Sequence, residues 1–164
     1  MTAEELRALQ APLKEQYRAQ PDAARVTLRA EASLDAGVSC SVETGRRLVQ
    51  AGLHPATGGS GELACSGDML LQALAACAGV TLRAVATALD LPIRGGRVTA
   101  EGDLDFRGTL GVDREAPVGF SRIRVHVDLE GDASPEQVHK LLALTERYCV
   151  VLQTLRRGTE VVLA

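Results

Sequence analysis

The stretch 67–89, GDMLLQALAACAGVTLRAVATAL, constrains this chain more than any other. From Met69 to Leu82 it carries no charge, and Gln72 is its only strongly polar side chain. Leu, Ala, Val and Met fall on every face at the helical period, and a helix apolar all round belongs inside a core or a membrane. A membrane span takes about 20 consecutive apolar residues, and Arg83 interrupts this run well short of that. The expectation is a buried central helix, with no membrane as partner. Cys77 sits near its middle between Ala75–Ala76 and Ala78–Gly79, small neighbours that let a second backbone approach the sulfur.

Such a helix needs a core around it, and 164 residues can supply one in a single domain. Two Phe, two Tyr and no Trp make that core aliphatic. They also leave almost nothing to stack on bases, and a net charge of −3 releases no counterions from phosphates. Nucleic acid is therefore not expected as a partner. The first residues, MTAEELRALQAPLKEQ, are acidic and polar without the apolar run of a signal peptide, so a cytoplasmic location is expected. Four cysteines in such a chain are expected to be reduced thiols.

Thr2 and Glu5 form a capping-box pattern at the start of an amphipathic helix over 3–19, whose stripe is Leu6, Leu9, Leu13 and Tyr17. Pro12 should kink it or begin a second segment. Segments 26–34 and 38–44 alternate as strands about a turn at 35–37. Residues 46–53 are expected to complete an antiparallel meander with them. A glycine-rich loop, 54–67, follows. It lacks the glycine-lysine-serine/threonine ending of a phosphate-binding loop.

Asp90 and Pro92 should end the central helix, with strands over 97–112 and 119–131. In the second, Ile123, Val125, Val127 and Leu129 face inward against Arg122, Arg124, His126 and Asp128. Ser134, Pro135 and Gln137 together start a helix, with Val138, Leu141, Leu142, Thr145, Tyr148 and Cys149 on its buried face. A short helical turn and a terminal strand, TEVVLA, close the chain. The expected fold class is α+β, with residues 1–22 as an N-terminal helical extension of a domain over 23–164.

Cys77 and Cys149 both fall on buried helix faces, and spacing leaves two accounts open. They are either two small hydrophobes, since free cysteine is among the most buried residue types, or a redox pair. Cys40 on a strand and Cys65 in a loop read as structural. No CxxC, CxxH or HExxH spacing occurs, so neither a metal nor a cofactor is expected. His54, His126 and His139 read as surface histidines without a role. Asp68 reads as a first-turn complement to the helix dipole, and Arg46–Arg47 and Arg156–Arg157 as solvated pairs.

The segments GDMLLQALAACAGVTL and TERYCVVLQTL resemble the two cysteine motifs of the OsmC/Ohr family. LHPATGGSG ahead of the first, and APVGFSRIRVHVDLEGDASPEQ between the two, are similar to that family as well. The resemblance covers roughly residues 26–164 and is closer to the generic OsmC-like branch than to the organic hydroperoxide resistance branch. The latter's carboxylate position falls on Gly67 here, with Asp68 beside it. Its arginine position falls on Asp35 or Ala36, which leaves Arg29, Arg46 and Arg47 as candidates. The second motif reads CVV where the peroxidase branches usually have a proline after the cysteine.

The resemblance implies an intertwined homodimer in which antiparallel sheets surround two central buried helices, with the site at the subunit interface. It implies Cys77 as the peroxidatic residue, Cys149 as the resolving one and Asp68 as the carboxylate of the site. The substrates would be organic hydroperoxides or hydrogen peroxide, in oxidative stress defence. The reductant would be a dithiol, lipoyl-based in the organic hydroperoxide branch. The departures at Gly67 and at the arginine position keep a second expectation open: a non-catalytic OsmC-like protein binding a small apolar or electrophilic ligand at the dimer interface.

Overall fold

The structure, a computed structural model, describes residues 3–34, 40–42 and 51–163. In chain order the elements are α1 (Ala3–Ala19), β1 (Arg25–Leu34), β2 (Cys40–Val42), β3 (Ala51–Gly52), β4 (Ala64–Cys65) and α2 (Ser66–Ala88). They continue with β5 (Ile93–Asp105), α3 (Phe106–Thr109), β6 (Arg122–Gly131), α4 (Pro135–Tyr148) and α5 (Val150–Arg157). One sheet has the order β2-β1-β5-β6, and a second holds β3 and β4. The fold is a mixed α+β one, as expected. Several elements run through both of two compact units. The first comprises residues 1–29, 44–71 and 101–124; the second comprises 30–43, 72–100 and 125–164.

The first unit is built on an aromatic cluster. Tyr17, Ala24, Phe106 and Leu110 are buried together, with Leu13, Val26, Ala56, Leu104 and Val112 packed against them. Leu13 and Tyr17 stand one helical turn apart, which is why α1 presents both to the same cluster. The Tyr17 hydroxyl donates to the Ala56 carbonyl at 2.7 Å, so the buried phenol keeps a partner. α1 carries Pro12 inside a single helix rather than breaking into two segments. The Thr2 end of the expected capping box lies outside the described residues.

The second unit is aliphatic. Leu74, Ala75, Ala78, Leu82 and Ala86 of α2, Ile93, Val98 and Ala100 of β5, and Leu141 and Cys149 are all buried. α2 ends in a Schellman motif: Leu91 N–H donates to the Ala86 carbonyl and Asp90 N–H to that of Thr87. Asp90 takes the left-handed conformation this requires, at φ 50°. Ser121 N–H donates to the Asp103 carbonyl and Asp132 N–H to that of Pro92, so β5 and β6 run antiparallel. At Gly131, with φ 156°, a Cβ would stand 2.1 Å from the Pro92 oxygen, and only glycine permits that approach. β6 keeps the expected alternation, although its apolar side chains are half-buried rather than buried. The helix start at Ser134 is also as expected, with both bonds of the capping box made.

Five expectations need correction. β1 and β2 do pair antiparallel, Ala32 opposite Val42, but residues 51–52 pair in parallel with 64–65 and leave the meander. Residues 35–39 and 43–50 lie outside the described residues. The glycine-rich segment 54–67 contains a 3₁₀ turn at Pro55–Thr57 and strand β4. The strand expected over 97–112 starts at Ile93 and stops at Asp105, whose side chain caps α3 by accepting from Arg107 N–H. On α4, Leu141 and Thr145 are buried while Leu142 and Tyr148 are exposed, because the covered stripe is narrower than the apolar one.

The fifth concerns TEVVLA, which forms no strand: residues 159–163 have no regular structure and Leu163 is 99% exposed. Its β-branched residues suit a strand, but a strand exists only against a partner edge. α2 itself is not covered all round within one chain either. Met69, Leu70 and Val80 are exposed. Among the described residues it is the one helix long and apolar enough to cross a membrane, and it buries Leu71, Leu74, Ala75, Ala78, Leu82 and Ala86 in protein.

Candidate active site

Cys77 and Cys149 both lie in the second unit, and each thiol shifts the acidity of the other. Two helix ends place Cys149. It is the C-cap of α4, its N–H donating to the Thr145 carbonyl, and the N-cap of α5, its carbonyl accepting from Gln153 N–H, each at 2.9 Å. Its extended backbone, φ −71° and ψ 107°, stops one helix and starts the next. Two β-branched residues, Val150 and Val151, follow immediately and weaken any continuation of α4. The Thr145 hydroxyl turns back onto the Leu141 carbonyl at 2.8 Å and is satisfied there.

The two sulfurs differ in exposure and in acidity. Cys149 is fully buried. Burial first, and then the neighbouring Cys77 sulfur, push its thiol up to about 11. Cys77 is half-buried. Burial pushes its thiol up too, but the Val151 N–H, the Cys149 thiol, the Val150 N–H and the Thr81 hydroxyl together hold it below the ordinary thiol range. Val150 and Val151 are the first two residues of α5, where N–H groups have no intrahelical acceptor, and the Cys149 side chain makes no capping bond to them. Thr81 lies one turn beyond Cys77 on α2 and so shares its face. The result is a half-buried thiol held low beside a buried one pushed up. That is the asymmetry a nucleophile and its resolving partner need.

Asp68, the third expected site residue, is in the first turn of α2 but belongs to the first unit. Burial raises its carboxyl and the His54 charge opposes this. His54 is not an idle surface residue as expected. It is half-buried, its ring stacks on Phe106 at 4.8 Å, and its Nδ1 accepts from Ala56 N–H at 3.0 Å. Cys65 is a free thiol on β4. The side chains of Cys40 and Arg29, and the whole of Asp35, Ala36, Arg46 and Arg47, lie outside the described residues. Arg156 pairs with Glu146 on the surface. Among the described residues no group of three or more His, Cys, Asp or Glu side chains could hold a metal ion.

Thr81, Val150 and Val151 escaped the sequence reading. Thr81 carries a legible signal, a hydroxyl four residues after Cys77 on the same helix. The two valines act through backbone N–H groups, which no side-chain type marks.

The first unit contains a cleft of about 520 Å³ lined in part by Arg25, Thr27, Asp103, Asp105 and Arg107. Three of its carboxylates are paired with arginines. Arg124 grips Asp103 at 2.5 and 2.8 Å, and the Thr27 hydroxyl adds a third bond. Arg107 grips Asp105 at 2.6 and 3.1 Å and reaches Asp113 at 3.2 Å.

The sequence profile of the OsmC-like protein family matches residues 59–164, a span that includes both cysteines. The fold is similar to the crystal structure of an OsmC-like hydroperoxide resistance protein from Jannaschia sp. CCS1. The TM-score is 0.58 at 15% sequence identity, covering 85% of this chain and 91% of that one. A comparison with curated protein sequences finds no match.

Proposed function

Because the chain belongs to the OsmC-like protein family, we propose that it is a thiol peroxidase of the peroxide-stress response, reducing organic hydroperoxides or hydrogen peroxide through Cys77 and Cys149. The observation that carries this reading is the meeting of the two thiols with opposite acidity. In the proposed cycle the Cys77 thiolate attacks the terminal peroxide oxygen. The O–O bond breaks, Cys77 becomes a sulfenic acid and the alcohol leaves with a proton. Oxidation removes the negative charge beside Cys149, and with it one of the influences that hold that thiol protonated. The Cys149 sulfur then attacks the sulfenic sulfur, a disulfide forms and water departs. A dithiol reductant, of the lipoyl kind in the related branch, returns both cysteines to thiols and is itself oxidised to a disulfide. The lowered Cys77 favours this enzyme over a non-catalytic ligand-binding relative.

To test it, the reduced protein is mixed with one equivalent of cumene hydroperoxide and its disulfides are mapped by peptide mass. The expected outcome is a Cys77–Cys149 disulfide and consumption of the peroxide, with Cys77→Ser inert. Free Cys77 and Cys149 beside persisting peroxide would overturn the reading.

The same reading includes a cytoplasmic homodimer, with residues 1–22 as an extension of the shared domain. Its support is the apolar surface that one chain leaves in water, with Val80 of α2 39% exposed and the inner face of β6 only half-buried. Apolar surface costs about 25 cal/mol per Å² when left hydrated. Ala76→Glu, beside Cys77, is expected to abolish the soluble dimer. A stable folded wild-type monomer at micromolar concentration, seen by light scattering, would remove this part.

A further inference from the structure

We propose that Gln153 is a positioning residue for the resolving cysteine: its amide ties α5 back onto the end of α4, and so sets how fast Cys149 closes a disulfide on oxidised Cys77. The inference deepens the peroxidase reading and rests on Cys149 being its resolving residue. Its ground is the hydrogen-bond geometry of the α4–α5 corner. Helix α4 stops at Tyr148, and Cys149 takes an extended backbone. The Thr145 carbonyl still accepts the Cys149 N–H. The Glu146 carbonyl, one residue on, has no amide of its own helix left to bond.

Gln153 supplies that bond. Its side-chain Nε2 donates to the Glu146 carbonyl at 2.7 Å, while its backbone N–H donates to the Cys149 carbonyl at 2.9 Å. One residue of α5 thus holds both the corner and the helix before it. The Arg157 Nε donates to the Gln153 Oε1 at 3.1 Å, which turns the NH2 end of the amide toward α4. A carboxamide fits both partners; a carboxylate has no donor and fits only Arg157.

Helix α5 has little packing to hold it. None of its eight residues is buried, and a helix that short is not stable alone in water. Arg156 also reaches back to Glu146, but that pair is exposed and contributes little. Cys149 itself is fully buried, so its sulfur moves only as the corner moves. A disulfide forms over a narrow range of Cα separation and dihedral angle, and closure therefore depends on how tightly the corner is held. In that step the Cys149 sulfur displaces water from the Cys77 sulfenic acid. Where it is slow, a second hydroperoxide oxidises the sulfenic acid to a sulfinic acid and leaves as the alcohol.

Two measurements on the full-length protein test this. In the first, the reduced protein meets excess cumene hydroperoxide, and the disulfide, the dimedone-trapped sulfenic acid and the sulfinic acid at Cys77 are followed by peptide mass. The second uses no peroxide. The dithiol is equilibrated with glutathione disulfide, which is reduced to two thiols as one disulfide forms in the protein.

Gln153→Glu, and Gln153→Met without its charge, are expected to slow disulfide closure roughly three- to tenfold, the scale of one lost hydrogen bond. The trapped sulfenic and sulfinic fractions should rise in step, and the glutathione equilibrium should shift toward the dithiol by a similar factor. The rate of Cys77 oxidation itself should hold. Gln153→Lys, which restores a donor toward the Glu146 carbonyl, is expected to recover most of the loss. Wild-type closure in the Glu and Met variants overturns the proposal, as does a Lys variant no better than the Met one. An equal loss in Cys77 oxidation overturns it too, since that marks a general disturbance of the fold. If the wild type leaves the hydroperoxide untouched, the peroxidase reading fails and the glutathione equilibrium decides alone. Turnover with closure and equilibrium indifferent to position 153 does the reverse.

Discussion

The two units hold negative charge by opposite means. In the first, guanidinium groups grip Asp103 and Asp105 through paired hydrogen bonds, and both carboxyls are held below the usual carboxylate range. In the second, burial pushes the Cys77 thiol up and neutral donors, two of them backbone N–H groups at the start of α5, hold it below the ordinary thiol range. On the proposed function, the difference follows from what each group has to do. Asp103 and Asp105 keep their charge for the life of the fold, so a cation beside each is permanently matched. A peroxidatic sulfur loses its charge whenever it becomes a sulfenic acid or a disulfide. A buried arginine would then be left without its counter-charge, and uncompensated buried charge is among the most destabilising features a protein can carry. Amide donors at a helix start lose only a hydrogen bond.

The comparison breaks first where packing fails. Leu141 is fully buried on α4, one turn before Thr145 and two before Cys149. Leu141→Ala removes its side chain from the aliphatic core of the second unit and is expected to cost about 2–5 kcal/mol in urea unfolding. Because donors at a helix start need a fixed helix end, it should also raise the pH midpoint at which iodoacetamide alkylates Cys77. The carboxylates of the first unit, held by flexible arginines, should keep their acid titration. A variant that loses this much stability while Cys77 stays acidic would show that the corner does not depend on the core beneath it.

How much of this was legible in the sequence follows the same division. Elements that announce themselves through side chains were found: α1 through its apolar stripe, α4 through Ser134, Pro135 and Gln137, β6 through strict alternation. The cysteine pair was visible through its resemblance to the family motifs rather than through spacing, which left packing and chemistry both open. Arg29, Arg46 and Arg47, the candidate cations for Cys77, belong to a residue type that can be read, but their side chains lie outside the described residues. Amides are present at every position, and their aim depends on where α5 starts, which Cys149 sets by leaving the helical conformation. The same reasoning explains β3 and the chain end. Ala51–Gly52 pairs in parallel with a segment beyond an intervening turn, and TEVVLA has strand-forming residues but no partner edge among the described residues.

The next effect is smaller and depends on pH. Asp105 is nearly buried beside Arg107, with side-chain exposures of 9% and 17%. The Arg107 hydrogen bonds hold its carboxyl low against the opposing influence of burial. A carboxyl lowered on folding stabilises the protein above its unfolded value, about 3.9, and that contribution is lost as pH falls through the lower folded value. Asp105→Asn keeps the α3 cap but removes the charge at every pH. The expected deficit in urea unfolding is about 1–2 kcal/mol at pH 7, the difference between a charge-assisted and a neutral bond. It should shrink toward zero below pH 4, as the wild-type carboxyl protonates. A deficit that is the same at pH 3 and pH 7 would mean that the guanidinium contributes shape rather than charge.

The smallest effect lies at the far end of α5, where charge is present but exposed. Arg156 pairs with Glu146, with side-chain exposures of 60% and 55%, and it also stands in the last turn, where a cation complements the helix dipole. Exposed pairs of this kind contribute about 0–1 kcal/mol, so Arg156→Ala is expected to change urea unfolding by less than that. The informative measurement is again Cys77. If its charge is held by local bonds from Val150, Val151 and Thr81, removing a cation from the opposite end of the helix leaves the alkylation midpoint where it was. Screening such a surface charge with salt should do no more, because the Debye length is about 10 Å at 0.1 M. If the midpoint instead rises in Arg156→Ala, or climbs in the wild type as salt is added, long-range charge contributes to Cys77. The contrast between guanidinium-held carboxylates and an amide-held thiolate would then be one of degree.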